Sequence, residues 1–214
     1  MATDTFRDPA LERRLQRKAS AKGSFVATFR QVFLRHGLTM GFVALACLFL
    51  PSTLTAIRWG SVSLLSAPFF YLTALSTLLL FCLIFLLFKG HKINQIEVAW
   101  IAYLLFISTM EEFAFRLILP NLLAEPIGVF PAAIASNLLF ACIHFITLRW
   151  KFINCIGVFF AGLGLSRLMV NTEDIAFVVL VHLFFTFLNT PTPPNHQAKA
   201  EASKQARLIW QRKR

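Results

Sequence analysis

Residues 108–120 read STMEEFAFRLILP, and Glu111, Glu112 and Arg116 fall within six positions of an otherwise apolar run. At the centre of a membrane helix each such side chain costs about 2.5–3.5 kcal/mol on the insertion scale, so partners are required. Glu112 and Arg116 are four residues apart, share a helix face and can pair. Glu111 is turned about 100° from Glu112 and must find its partner on another helix. Two histidines are placed to supply one: His144 in FACIHF and His182 in LVHLFFTFLN. A lone histidine in a buried helix is most often a satisfied core residue. Two of them with an unpaired glutamate, all at membrane depth, argue for function, because ionisable groups there are rare and costly. Asn137, Thr186 and Asn189 are lesser polar candidates. Asn137 and Asn189 serve equally well as interhelical hydrogen-bonding residues.

The spacing also carries a resemblance. EEFAFR, Glu111 to Arg116, fits E-E-x-x-x-R, and FACIH, Phe140 to His144, fits F-x-x-x-H. His182 then heads a third motif, preceded by the Gly-rich FFAGLGLSRL. In this order the motifs resemble the CAAX protease and bacteriocin-processing enzyme family, intramembrane endopeptidases that include the type II CAAX prenyl endopeptidase. The resemblance covers about residues 96–189. One position departs from it. The family's third motif reads His, three residues, then Asn or Asp, whereas Thr186 stands four after His182 and Asn189 seven after.

Amide hydrolysis needs an activated water, a proton for the leaving amine and donors for the oxyanion. Glu111 is the expected general base and His144 helps hold the water. His182, with Thr186 or Asn189, faces the oxyanion. Glu112 and Arg116 orient Glu111 and close the charge balance. The resemblance implies the same division of roles. Glu111, Glu112, His144 and His182 are also chemically competent zinc ligands. No H-E-x-x-H occurs, and adjacent glutamates on a helix point apart, so a glutamate-activated water without cofactor is favoured over zinc. The Thr186 departure supports one alternative, a catalytically weak relative that regulates or binds another membrane protein. A small proton-coupled transporter is another, but it would more often show internal repeats. The expected partners are a membrane protein or peptide substrate and a bilayer with an anionic inner leaflet.

These residues need helices to hold them, and the chain supplies apolar ones. It is 57% hydrophobic and 14% charged, with 24 phenylalanines, which sets it apart from a soluble domain. Apolar segments at 38–57, 62–88, 96–119, 127–148, 152–171 and 174–189 predict an all-α, multi-pass transmembrane bundle of about six spans. Residues 1–37 form a basic arm, 38–189 the transmembrane domain with its family-like core at 96–189, and 190–214 a basic tail. In the arm, Phe25, Phe29, Val32 and Phe33 recur at helical spacing and predict an interfacial helix on the inner leaflet. The net charge of +11 lies mostly at the ends, with eight basic residues in 1–37 and six in 190–214. That pattern argues for cytoplasmic tails and against nucleic acid.

Of the 21 basic residues, eighteen fall on the side of the termini, two on the other and Arg116 within the membrane. Both termini are therefore expected in the cytoplasm, a bacterial cytoplasmic membrane being the expected setting, with no signal peptide. The cysteines, Cys47, Cys82, Cys142 and Cys155, read as small core hydrophobes. One difficulty stands. At 1.5 Å per residue, Glu111 lies roughly 20 Å from the inner surface and His144 about 6 Å, so straight full-length spans do not bring them together.

Overall fold

The computed structural model describes residue 26 and residues 28–194, and its regular elements are all helices. The first, α1, occupies residues 29–47: Phe29–Val32, a π turn Phe33–Gly37, then Leu38–Cys47. Thr28 starts it, its hydroxyl accepting from the Gln31 amide. Two short helices follow, α2 (Thr53–Gly60) and α3 (Val62–Ser66), then α4 (Pro68–Phe88). Next comes α5, Gln95–Ile127, interrupted by a second π turn at Phe113–Ile118. The last three are α6 (Val129–Thr147), α7 (Phe152–Thr172) and α8 (Ile175–Asn189).

Four of these, α4, α5, α6 and α7, are long and apolar enough to cross a membrane, and α8 is a shorter apolar helix. An all-α membrane bundle is thus the architecture, with segment ends that differ from expectation in three places. The segment expected at 38–57 stops at Cys47, where a turn with Pro51 and a left-handed Ser52 precedes α2. The segment expected at 62–88 breaks at Ala67, after which Pro68 opens α4 at a position where its missing N–H is no loss. The third segment runs on through PNLLAEP to Ile127. Pro120 is tolerated there because it follows the π turn and begins the resumed helix. Gly128, at φ 87°, then reverses the chain into α6.

Helix α5 is the centre of the bundle. It opens with a capping box, Asn94 with Glu97. Its Leu104, Ile107, Phe115, Leu117 and Ile118 are almost fully buried. Helices α1, α6 and α8 pack around it, while α4 is the least buried of the candidate spans. Large apolar side chains such as Phe42, Phe69 and Phe160 face outward, as lipid contact requires. Asp174 ties the periphery together: it caps α8 by accepting from the Phe177 amide, and it accepts from the Tyr71 hydroxyl of α4.

Residues 29–37, the described part of the expected interfacial arm, form the first half of α1, and Phe29 lies edge-on against Trp100 and Tyr103 of α5. The apolar face read as lipid-seeking is therefore partly covered by protein. Phe25 and the rest of the arm, like the tail from residue 195 onward, lie outside the described residues. Of the cysteines, Cys47, Cys82 and Cys155 are buried, but Cys142 is exposed on α6.

Candidate active site

Glu111 and Glu112 end the regular part of α5, and the π turn Phe113–Ile118 begins at once. Such a turn frees backbone groups from the helical ladder. Here the Phe115 carbonyl accepts from the Ser136 hydroxyl of α6 at 2.7 Å. Arg116 sits in that turn, its Nη1 3.4 Å from Glu112 Oε1 and its guanidinium 4.1 Å from the centre of the Phe140 ring. The expected pairing of Glu112 with Arg116 is present as an ion contact, and the aromatic face adds a cation–π interaction. The phenylalanine of F-x-x-x-H thus acquires a physical purpose. Its ring carries Arg116 and lies 4.5 Å from the His144 ring, and its carbonyl accepts from His144 Nδ1 at 3.0 Å.

That last contact orients His144. A carbonyl only accepts, so Nδ1 carries the hydrogen and Nε2 presents its lone pair to Glu111 Oε1, 3.7 Å away. His182 approaches from the other side. Its Nδ1 is 2.5 Å from Glu112 Oε1 and its Nε2 3.6 Å from Glu111 Oε2. A third histidine joins them. His36 of α1 places Nε2 2.8 Å from Glu111 Oε1, and its Nδ1 is 2.8 Å from the Thr147 hydroxyl of α6. Glu111, His36 and His144 are all buried. The structure therefore brings Glu111, Glu112, Arg116, His144 and His182 together.

Glu111 and His144 meet because α6 does not run out to the level at which α5 begins. It ends at Thr147, where Arg35 of α1 donates from Nε to the Thr147 carbonyl at 2.9 Å and from Nη2 to the Ile146 carbonyl at 3.1 Å. Carbonyls that water would otherwise serve are satisfied by protein, so the helix end can lie deep. On the far side, Trp100 Nε1 donates to the Thr190 carbonyl at 2.8 Å, setting α5 and α8 at one level.

A cavity of about 590 Å³ opens onto this cluster. His36, Glu111, Arg116, His144 and His182 line it, with Thr186 and Asn189 further along α8. Most of the remaining wall is apolar, including Trp100, Tyr103 and Phe140. Glu112 is fully buried behind it. Gly162 of α7 forms part of the wall for a steric reason: a Cβ there would stand 2.1 Å from Asn137 Oδ1 and 2.7 Å from Arg116 Nη2. Asn137 itself bridges helices, donating to the Ser166 hydroxyl of α7 at 2.8 Å.

His36, Glu111 and His144 each offer a ligand atom within 4.8 Å of one another, a set that could hold a divalent cation. The His36–Glu111 separation of 2.8 Å is that of a hydrogen bond. Two ligand atoms at 2.0–2.1 Å around a tetrahedral zinc stand about 3.3 Å apart, so the pair as it stands is closed too tightly for one.

His36, Thr147 and Arg35 were not among the residues expected at the site. The signal was present but weak: His36 lies seven residues after Phe29, in phase with Val32 and Phe33, and so on the face that the arm's own periodicity marked as apolar.

The fold and cluster define a class, helical membrane proteins that enclose a carboxylate–histidine centre open to an apolar cavity. Within it, residues 93–188 are similar to the family model described as type II CAAX prenyl endopeptidase Rce1-like. The match runs from just before α5 almost to the end of α8 and contains Glu111, Glu112, Arg116, His144, His182 and Thr186; Asn189 and His36 lie outside it. No curated protein and no solved structure matches the chain.

Proposed function

We propose that this protein is an intramembrane endopeptidase that hydrolyses a peptide bond of a membrane-associated protein or peptide with a water activated by Glu111. The observation that carries this reading is Glu111 itself, a buried carboxylate on the cavity wall with imidazole nitrogens from α1, α6 and α8 around it. A water set between Glu111 Oε1 and His144 Nε2 gives one hydrogen to each, because both atoms accept. Its oxygen lone pair is then free to attack the carbonyl carbon. Glu111 takes the proton, and the carbonyl oxygen becomes an oxyanion on the Thr186–Asn189 side of the cavity beside His182. When the C–N bond breaks, the proton passes from Glu111 to the leaving amine.

The family model that residues 93–188 match is described as a type II CAAX prenyl endopeptidase, and the apolar cavity beside the cluster has the chemistry to take a lipidated peptide. The direct test is cleavage of a fluorogenic prenylated CAAX peptide by the purified protein, with Glu111→Gln as control. Cleavage by wild type and none by the variant is expected; equal turnover of both removes Glu111 from the mechanism. Turnover surviving prolonged chelation supports a metal-free centre, and loss restored by zinc overturns it. One observation favours a second reading. Thr186 replaces the amide or carboxylate of the family pattern, which fits a relative that binds membrane proteins without cleaving them. Capture of such a protein without cleavage would establish it.

Orientation belongs to the same proposal, with both termini in the cytoplasm. In a background lacking native cysteines, a Cys at Ser66 or Glu125 is expected to react with an impermeant reagent outside the cell, and one at Lys92 only after permeabilisation. The reverse pattern inverts the topology.

A further inference from the structure

We infer that His36 is the positioning residue of the general base, supplied by a helix outside the matched domain. Its ring is a strut between the two helices that must cooperate. Nε2 holds Glu111 Oε1 of α5 at 2.8 Å, and Nδ1 holds the Thr147 hydroxyl of α6 at 2.8 Å. Thr147 lies three residues after His144 on α6, so the strut fixes the spacing across which Glu111 Oε1 faces His144 Nε2, 3.7 Å. Both ends are themselves secured. The Thr147 hydroxyl also donates to the Ile143 carbonyl at 2.7 Å, and the neighbouring Arg35 grips the end of α6. The His36 ring also packs edge-on against that of His144, with centroids 4.7 Å apart.

The π turn Phe33–Gly37 is what brings the ring in, and Gly37 lets α1 come close enough. A Cβ on Gly37 would stand 3.0 Å from Tyr103 Cε2. A carboxylate held at one oxygen cannot rotate away from the water that it must deprotonate, which is the orienting function that a base requires of its neighbour. A misplacement of about 1 Å at such a centre costs about 10²-fold in rate.

This inference rests on the endopeptidase reading, and its test keeps the two apart. Gln and Asn divide the ring between them. His36→Gln can still send an N–H to Glu111 but loses Thr147, whereas His36→Asn can still reach Thr147 but loses Glu111. The full-length variants are assayed on a fluorogenic prenylated CAAX peptide beside thermal unfolding in detergent, with Glu111→Gln as control. His36→Asn and His36→Ala are expected to lose about 10²-fold in kcat with KM little changed. His36→Gln is expected to recover most of that loss, although its unfolding midpoint falls as far as that of His36→Asn. A histidine that merely joined helices would give rates that track the midpoints and no advantage to Gln; that pattern, or normal kcat in His36→Ala, overturns the inference. If Glu111→Gln itself turns over normally, the general-base reading has failed and this one with it. If Glu111→Gln is dead while His36→Asn is normal, only the role given to His36 is wrong.

Discussion

Glu111 and Glu112 are neighbours of the same chemical type, yet the bundle treats them as different groups. Glu111 faces the cavity, and both of its oxygens look at imidazole nitrogens from other helices. Glu112 lies behind the wall, with Arg116 four residues on and one oxygen taken by His182 Nδ1. Its second oxygen has no hydrogen-bond partner among the described residues. The 100° between consecutive residues of a helix is enough to give one carboxylate access to the cavity and the other a counter-ion. His182 faces both, Nε2 toward Glu111 and Nδ1 toward Glu112. The difference teaches that a pair of acids in a membrane helix need not be equivalent: one faces the cavity and the other a counter-ion.

The contrast is broken most directly at Glu111. Glu111→Gln keeps the shape and removes the base, and cleavage should fall by about 10²–10⁴-fold, the usual range for a general base. Its unfolding midpoint in detergent should stay close to wild type, since a neutral amide is easier to bury than a carboxylate. Arg116→Ala tests the holding half. It strands a buried carboxylate, at about 3–5 kcal/mol, so membrane yield and unfolding midpoint should fall together with activity. Glu112→Gln combined with Arg116→Met should recover the midpoint. A fully stable Arg116→Ala would mean that His182 alone satisfies Glu112.

Two smaller effects sharpen the picture. Thr186→Val removes a hydroxyl from the oxyanion side and should lower kcat by about 10²–10³-fold, the range for one lost donor. Thr186→Asn should keep or raise activity. If Thr186→Val is silent and Asn189→Ala is not, the donor lies one turn further along α8. Gly162→Ala should be the mildest. Its Cβ meets Asn137 and Arg116, and overpacking of this kind costs about 1–3 kcal/mol. A drop in unfolding midpoint with kcat preserved in the folded fraction is expected.

Much of this was legible in the sequence, for physical reasons. Ionisable side chains are so costly in apolar helices that Glu111, Glu112, Arg116, His144 and His182 could be weighed one by one, and the structure gathers all five. Helix α6 was bounded closely because Gly128 and the polar residues after Thr147 punctuate it. What escaped depends on departures from the regular helix. The π turns at 33–37 and 113–118 shift the facing of everything after them, and no periodicity of 3.6 registers that. PNLLAEP, between the segments expected at 96–119 and 127–148, carries two prolines that argue against a helix; Pro120 stands in the first turn of the resumed helix, where proline is accepted, and Pro126 falls one residue before its end at Ile127. His36 escaped because basic residues surround it, and charge outweighed the phase of Phe29, Val32 and Phe33.

The grip of Arg35 on the end of α6 has an electrostatic consequence. The carboxyl end of an α-helix carries a field equivalent to about half a negative charge. Helix α6 ends one turn beyond His144, so that field points into the neighbourhood where Glu111 must hold a charge of the same sign. The Arg35 guanidinium, seated on the Ile146 and Thr147 carbonyls, brings a full positive charge to that end. A fixed dipole that would oppose a charge on the Glu111 carboxylate is thereby masked by a cation from another helix.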